Sequence, residues 1–362
     1  MSLIRESIVL VEPLCWKKIH YAFNRSIIGG LSSNRLLSII GDRDYVRLFE
    51  HIEHKTSIRY RNASFFELLR RYVFVFRTLR KYRFAKKIFL SFDNIIFPVF
   101  VVLLQRLLAN SSNFVIMHNN LPGLVRSRWK RWLMRTAITK GNFAILSLTQ
   151  ENHKYCQLFF SDSRSVYLPH PLYLPQNNSN QCDSMEGVNH KFVFIGRQAD
   201  LAVESGFIYQ FVTILNEIAA AHNVEAEVIV ASAAYSKIIN VETNSKLSLK
   251  RITHYLSFDE YSSLIECATF VVFPDSSMNK LRASGVLIDC ISLGTPFLAP
   301  SYGHFVEFRN CGLSYSDILD LREKLNYIMQ GSAHEYLLLK KSIKEIQQHF
   351  ASEHHRILNL FI

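Results

Sequence analysis

The stretch from Phe270 to Pro300 limits the fold of this chain more than any other, because it reads in succession as strand, polar loop, helix and strand. Val271, Val272 and Phe273 form a short apolar run that Pro274 stops, as expected of a buried parallel strand. After a polar loop, Val286, Leu287, Cys290, Ile291 and Leu293 recur at helical spacing from Ser284, and Gly294 stands where a glycine ends a helix. Phe297 to Ala299 gives the second buried strand. This order puts a helix N-terminus at the carboxyl edge of a parallel sheet, where free amides and the helix dipole favour a phosphate. Asp289, one to two turns further in, is within reach of a hydroxylated group beside that phosphate, and a nucleotide has both parts.

Residues Arg282 to Pro300, RASGVLIDCISLGTPFLAP, resemble the nucleotide-sugar motif of retaining glycosyltransferases with the two-domain GT-B fold, of the family 4 type. The usual pattern is a Glu, seven residues, a second Glu, and a small-residue helix ending in Gly-x-Pro. Asp289 matches the second acidic position, which in the family holds the donor ribose; the first falls at Leu281, between Lys280 and Arg282, and is not acidic. The resemblance covers Phe192 to about Tyr315, and the first half only in its strand order and at His118-Asn119. It implies an α/β fold class, with two Rossmann-like domains facing across a cleft and a C-terminal helix crossing back to the first.

Length and charge agree with two domains. A chain of 362 residues, 49% of them hydrophobic, suffices for two cores. The expected division is an acceptor domain over 1–174, a polar linker over 175–190, a donor domain over 191–340 and a terminal helix over 341–362, packing on the first domain. Residues 1–170 hold 27 Lys and Arg against 10 Asp and Glu, whereas the remainder holds 15 against 20. The basic half points to an anionic membrane surface, an acidic substrate or nucleic acid.

Two segments of that half interleave cations with large aromatics, Phe65 to Lys87 and Arg126 to Arg135. On helices this composition suits a peripheral membrane surface, with rings at headgroup level and cations against anionic lipid. The alternative is an ordinary helix with its aromatic face in the core. The aromatics follow helical periodicity rather than a displayed sheet, so nucleic acid is not the expected partner. The longest apolar run, Ile95 to Leu104, is too short to span a bilayer, and Arg5, Glu6 and Glu12 interrupt any secretory leader. Six scattered cysteines without metal-ligand spacing read as reduced thiols. The expectation is a cytoplasmic protein peripheral to the membrane face.

His118 follows the strand Phe114 to Met117, and polar residues at a strand's carboxyl end line the crevice of open α/β sheets. Gly196-Arg197 ends the strand Phe192 to Ile195, where a guanidinium can meet a diphosphate. By resemblance, His118 and Arg197 are the catalytic candidates, with Asn119 beside His118 on the acceptor side. Gly196, Arg197, Tyr255, Leu256, Arg282, Ser284, Gly285, Val286 and Asp289 are the donor-binding candidates. Family members carry a Lys about five residues after Gly-Arg; here QADLAVESG offers none, and Arg282 or Lys280 stands in. No Ser-His-Asp set, metal-ligand cluster, Walker loop or GxGxxG appears, and neither metal nor cofactor is expected. The resemblance implies a glycosyltransferase of the hexosyltransferase type, metal-independent and retaining. It would move a sugar from a nucleotide diphosphate donor to a lipid-linked or polysaccharide acceptor. The alternative is a membrane-associated partner subunit with a decayed donor site.

Overall fold

A computed structural model describes residues 7–15, 21–31, 36–50, 52, 54–61, 64–108, 111–118, 120–172, 190–232, 242–276, 283–331 and 333–361. The chain forms two compact units. The first contains a seven-stranded sheet of β1 (Ser7–Val11), β2 (Leu36–Asp42), β3 (His54–Ile58), β4 (Lys86–Phe89), β5 (Asn113–Met117), β6 (Phe143–Ser147) and β7 (Ser165–Tyr167). Its spatial order is 3-2-1-4-5-6-7, with every pairing parallel. Alternate residues of β1 serve opposite faces: Val9 and Val11 join one apolar cluster, Ile8 and Leu10 the other. Both faces are covered, so the strands read as continuous apolar runs.

The second unit repeats the plan with β8 (His190–Ile195), β9 (Ala226–Ala231), β10 (Leu247–Ile252), β11 (Phe270–Val272), β12 (Phe297–Pro300) and β13 (Gly312–Tyr315). Their order is 10-9-8-11-12-13, again all parallel. Phe192 and Phe194 of β8 pack on one face, Val193 and Ile195 on the other. In each sheet the order reverses beside the first strand, between β1 and β4 and between β8 and β11, the switch point at which doubly wound sheets open a crevice.

The long helix Ala333–Phe361 is divided between the units, and from Ala351 it belongs to the first. There Ile357 and Leu358 enter the first unit's core, and His354 Nδ1 donates to the Pro169 carbonyl at 2.8 Å. Gly30, inside the helix Tyr21–Leu31, accommodates this arrival, because a Cβ there would lie 2.6 Å from Leu358 Cδ1. The expected linker lies outside the described residues except for His190, which opens β8.

Three elements depart from the sequence reading. The edge strand β3 has no apolar run to announce it, being HKTSI with its first two residues exposed. A helix at Arg197–Glu204 precedes Phe207–His222, and Gly206 joins them at φ +74°. The strand nearest the candidates Tyr255 and Leu256 is β10, which ends at Ile252, so both lie beyond its end.

Candidate functional site

The donor-side candidates gather at the carboxyl ends of β8 and β11. Gly196 leaves β8 at φ +61° and ψ −143°, a conformation open to glycine but strained for a side chain. Its Cβ position lies 3.8 Å from Val286 Cγ2, so the β8 turn stands against the first turn of the helix Gly285–Leu293. Ser284 caps that helix, its Oγ accepting from Leu287 N at 3.3 Å, and Gly294 closes it at φ +76°. Gly196, Ser284, Gly285 and Val286 are thus brought together as the sequence suggests.

Arg197 starts the helix Arg197–Glu204 with its side chain half exposed. Its guanidinium lies 3.3 and 3.4 Å from the two Glu204 carboxylate oxygens and 3.5 Å from Asp200 Oδ2. Asp200 in turn accepts from the Ser232 hydroxyl that follows β9. The cation is therefore poised at the strand end by carboxylates that an incoming anion must displace. Asp200 is buried, but Arg197 and Glu204 are solvent-accessible, and an exposed pair of that kind is individually weak.

Asp289 is buried, and its Oδ2 accepts from the Tyr261 hydroxyl at 2.5 Å. Tyr261 comes from the helix Phe258–Glu266, opened by a capping box of Ser257 and Glu260. Burial raises the Asp289 carboxyl to about 8, because little water reaches the charge. Burial likewise raises the Tyr261 phenol. Leu256 is half-buried against the same core, whereas Tyr255 is 90% exposed and contributes nothing to that wall. Arg282, Leu281 and Lys280 lie outside the described residues.

Two residues at this site carry no motif. His304 is buried and its Nδ1 accepts from Ser284 N at 3.0 Å, so one of the amides expected to face a ligand already has a partner. Acceptance at Nδ1 places the proton of the neutral ring on Nε2, 4.0 Å from Glu307 Oε2. Tyr302 fixes the loop after β11: its hydroxyl donates to Asp275 and accepts from Ser276 N at 2.8 Å. A glycine directly before His304 is the one local mark that could have pointed to it; Tyr261, 28 residues from Asp289, has none.

In the first unit His118 follows β5, half-buried, with ring centroids 5.3 Å from Phe23 and 6.0 Å from His170. His170 is buried and donates from Nδ1 to the Pro171 carbonyl at 3.1 Å. Asn119 lies outside the described residues, but Asn120 ties strand ends together, donating to Phe92 O at 2.8 Å and Asn94 Oδ1 at 3.0 Å. The switch point beside β1 is closed by Glu12. This fully buried carboxylate accepts from Ser91 Oγ, from Asn24 Nδ2 at 2.9 Å, and from Leu14 N and Cys15 N at 3.2 and 3.1 Å.

The basic aromatic segments resolve into surface and interior. In Phe65–Lys87, Arg71 and Lys87 are interior, correcting their reading as membrane-facing cations. Lys87 is fully buried in β4 and donates to Ala85 O at 3.0 Å, Arg83 O at 3.3 Å and Ser111 Oγ at 2.6 Å, and burial lowers its ammonium to about 8. Arg71 lies over the Tyr60 ring at 4.1 Å and 3.6 Å from Glu67. The aromatics Phe65, Phe66, Phe84, Trp129 and Trp132 remain exposed. Among the described residues no helix is long and apolar enough to cross a membrane, and no three His, Cys, Asp or Glu side chains converge as a metal site.

No family model and no curated protein matches this sequence. Solved structures do. Sucrose-phosphate synthase from Thermosynechococcus elongatus is 10% identical, with a TM-score of 0.61 over 98% of this chain and 99% of that one. A glycosyltransferase from Rickettsia africae is 10% identical, with a TM-score of 0.63 over 99% and 98%. HepE from Anabaena, in complex with UDP and glucose, is 11% identical, with a TM-score of 0.63 over 98% and 99%. At such identities the likeness establishes architecture: this chain has the two-domain, parallel-sheet α/β fold of the GT-B glycosyltransferases.

Proposed function

We infer that the chain is a glycosyltransferase that uses a nucleotide diphosphate sugar. The observation that carries this is the joining of the Gly196 turn to the first turn of Gly285–Leu293, with Asp289 one turn deeper. In this reading the amides of Gly285 and Val286 and the helix dipole meet the diphosphate. Arg197 exchanges Glu204 and Asp200 for the developing charge on the leaving group, and fixed cationic contacts of this kind supply roughly 3–4 kcal/mol each. Asp289 takes a ribose hydroxyl alongside Tyr261, and His118 serves the acceptor side. Transfer is metal-independent and retaining in this reading, toward a lipid-linked or polysaccharide acceptor at a cytoplasmic membrane face. The architecture shared with the HepE complex, whose own structure holds UDP and glucose, supports the donor class.

The test is thermal shift and calorimetry with UDP-, GDP- and ADP-sugars on the wild type and Asp289→Ala. Stabilisation by one donor class, lost in the variant, is the expected result. If none binds, the enzyme reading falls and the chain is a partner subunit with a decayed donor site.

A further inference from the structure

A cavity of about 650 Å³ opens in the first unit at the carboxyl ends of β2 and β3, within the size range of small-molecule sites. Four arginines line it, Arg43, Arg59, Arg61 and Arg70, together with Asp42 and Asp44. The two carboxylates do not cancel the cations. Asp42 is buried, with Oδ1 accepting from Asp44 N and Tyr45 N, both at 3.1 Å, and Oδ2 from Tyr60 N at 2.7 Å. Asp44 is exposed and lies 3.9 Å from the guanidinium of Arg47, which does not line the cavity, so two aspartates stand against four arginines. Arg43, Arg59 and Arg61 are exposed, and among the described residues no side-chain partner holds their guanidinium groups.

Arg70 is different, because it is built in. Its Nε and Nη2 donate to the two Glu67 oxygens at 2.8 and 2.7 Å, and Nη2 also donates to the Arg59 carbonyl at 2.6 Å. Glu67, held well below the usual carboxylate range, to about 2, chiefly by its hydrogen bond from Arg70, also accepts from Arg61 N at 3.2 Å. These bonds fix the Arg59–Arg61 backbone to the first turn of the helix Phe65–Leu79, whose Phe65 and Phe66 are 61% and 79% exposed. The floor is fixed too, since buried Tyr60 donates its hydroxyl to Glu12 O at 3.1 Å under the Arg71 guanidinium. Three unpaired guanidiniums around one rigid cavity repel one another until an anion enters, and the planar fork matches phosphate oxygens bidentately.

We propose that this cavity binds the phosphate or diphosphate group of the acceptor. Naming the ligand an acceptor rests on the glycosyltransferase reading; the anion site rests on the arginines alone. A lipid-borne diphosphate places its group among Arg43, Arg59 and Arg61 and its chain toward exposed Phe65 and Phe66, whereas a soluble phosphorylated acceptor uses the arginines only.

The test is calorimetry with inorganic pyrophosphate and with farnesyl diphosphate in saturating UDP. It compares the wild type, Arg59→Ala/Arg61→Ala and, as an independent exposed position, Arg43→Ala. At about tenfold per charged contact, the double variant is expected to bind pyrophosphate roughly a hundredfold more weakly, with UDP binding unchanged. Farnesyl diphosphate binding tighter than pyrophosphate, with the excess lost in Phe65→Ser/Phe66→Ser, identifies a lipid source; equal binding identifies a soluble one. Equal pyrophosphate affinity in wild type and arginine variants, or no binding by the wild type, overturns the proposal. Failure of UDP to bind, with arginine-dependent pyrophosphate binding retained, removes the acceptor label and leaves the anion site standing.

Discussion

The Tyr261 hydroxyl donates to Asp289 Oδ2 at 2.5 Å, joining the helix Phe258–Glu266 to the helix Gly285–Leu293 through a buried carboxyl. A donor as strong as a phenol at this distance ordinarily favours an ionised carboxylate. Burial outweighs it here, and the group titrates near 8. A ribose hydroxyl added to the same carboxylate would shift that balance toward the charged form.

The raised titration makes stability fall as pH rises. Unfolded Asp289 loses its proton near 3.8, whereas the folded group keeps it to about 8. Between those values the native state alone holds the proton, and burial costs up to about 1.4 kcal/mol for each pH unit. Asp289→Asn keeps an acceptor for Tyr261 without the charge. The variant's stability relative to wild type is expected to grow from pH 5 to pH 8 in urea unfolding. A pH-independent difference would show that the carboxyl ionises normally.

Gly196 and Gly285 face the same site and predict opposite outcomes. Gly196→Ala meets no close atom, the nearest being Val286 Cγ2 at 3.8 Å, yet φ +61° remains strained for alanine. A loss of about 1–3 kcal/mol is expected. Gly285 lies in a helix with nothing within 4 Å of a Cβ, so Gly285→Ala is expected to stabilise by about 0.5 kcal/mol. Chemical denaturation of the pair checks both, and equal effects would contradict the assigned backbone geometry.

Asp93 carries the entry to the apolar helix Ile96–Leu103. Its Oδ1 accepts from Ile95 N and Ile96 N at 2.8 and 2.6 Å, and its Oδ2 from Phe97 N at 3.2 Å. Asp93→Ala leaves these amides without their carboxylate, and a loss of about 1–2 kcal/mol is expected from urea midpoints. Asp93→Asn should recover most of it, because an amide oxygen still caps.

The strand and helix that carry the second unit's candidate residues were legible because they hold their own punctuation: Pro274 stops the strand, Ser284 caps the helix and Gly294 ends it. β3 was not legible, since an edge strand buries too little to require an apolar pattern, and the arginine cavity beside it went unseen. Lys87 misled in the other direction. Charge in a sequence reads as surface, but its ammonium is satisfied by two carbonyls and a serine in the interior. Tyr261 and His304 act through contacts 28 and 20 residues away from their partners, which no local spacing encodes.

The exposed aromatics set the last expectation. The helices Phe65–Leu79, Ile96–Leu103 and Arg128–Lys140 share one core beneath them, through Tyr72 and Phe76, Phe97 and Val101, and Met134 and Ile138. Their outer surfaces carry Phe66, Val73, Val99, Leu103, Trp129 and Trp132, with Arg77, Arg128 and Arg135 among them. The middle helix, IFPVFVVL, has no charge, so an uncharged strip lies between two basic, aromatic ones. Rings at headgroup depth and cations near anionic lipid contribute about 1 kcal/mol per cation. The protein is therefore expected to sediment with vesicles rich in anionic lipid and to release in high salt. Phe66→Ser/Trp132→Ser should weaken that binding about tenfold or more, from the apolar area no longer buried. Equal sedimentation with neutral and anionic vesicles, or an unchanged double variant, would assign these helices to some other surface.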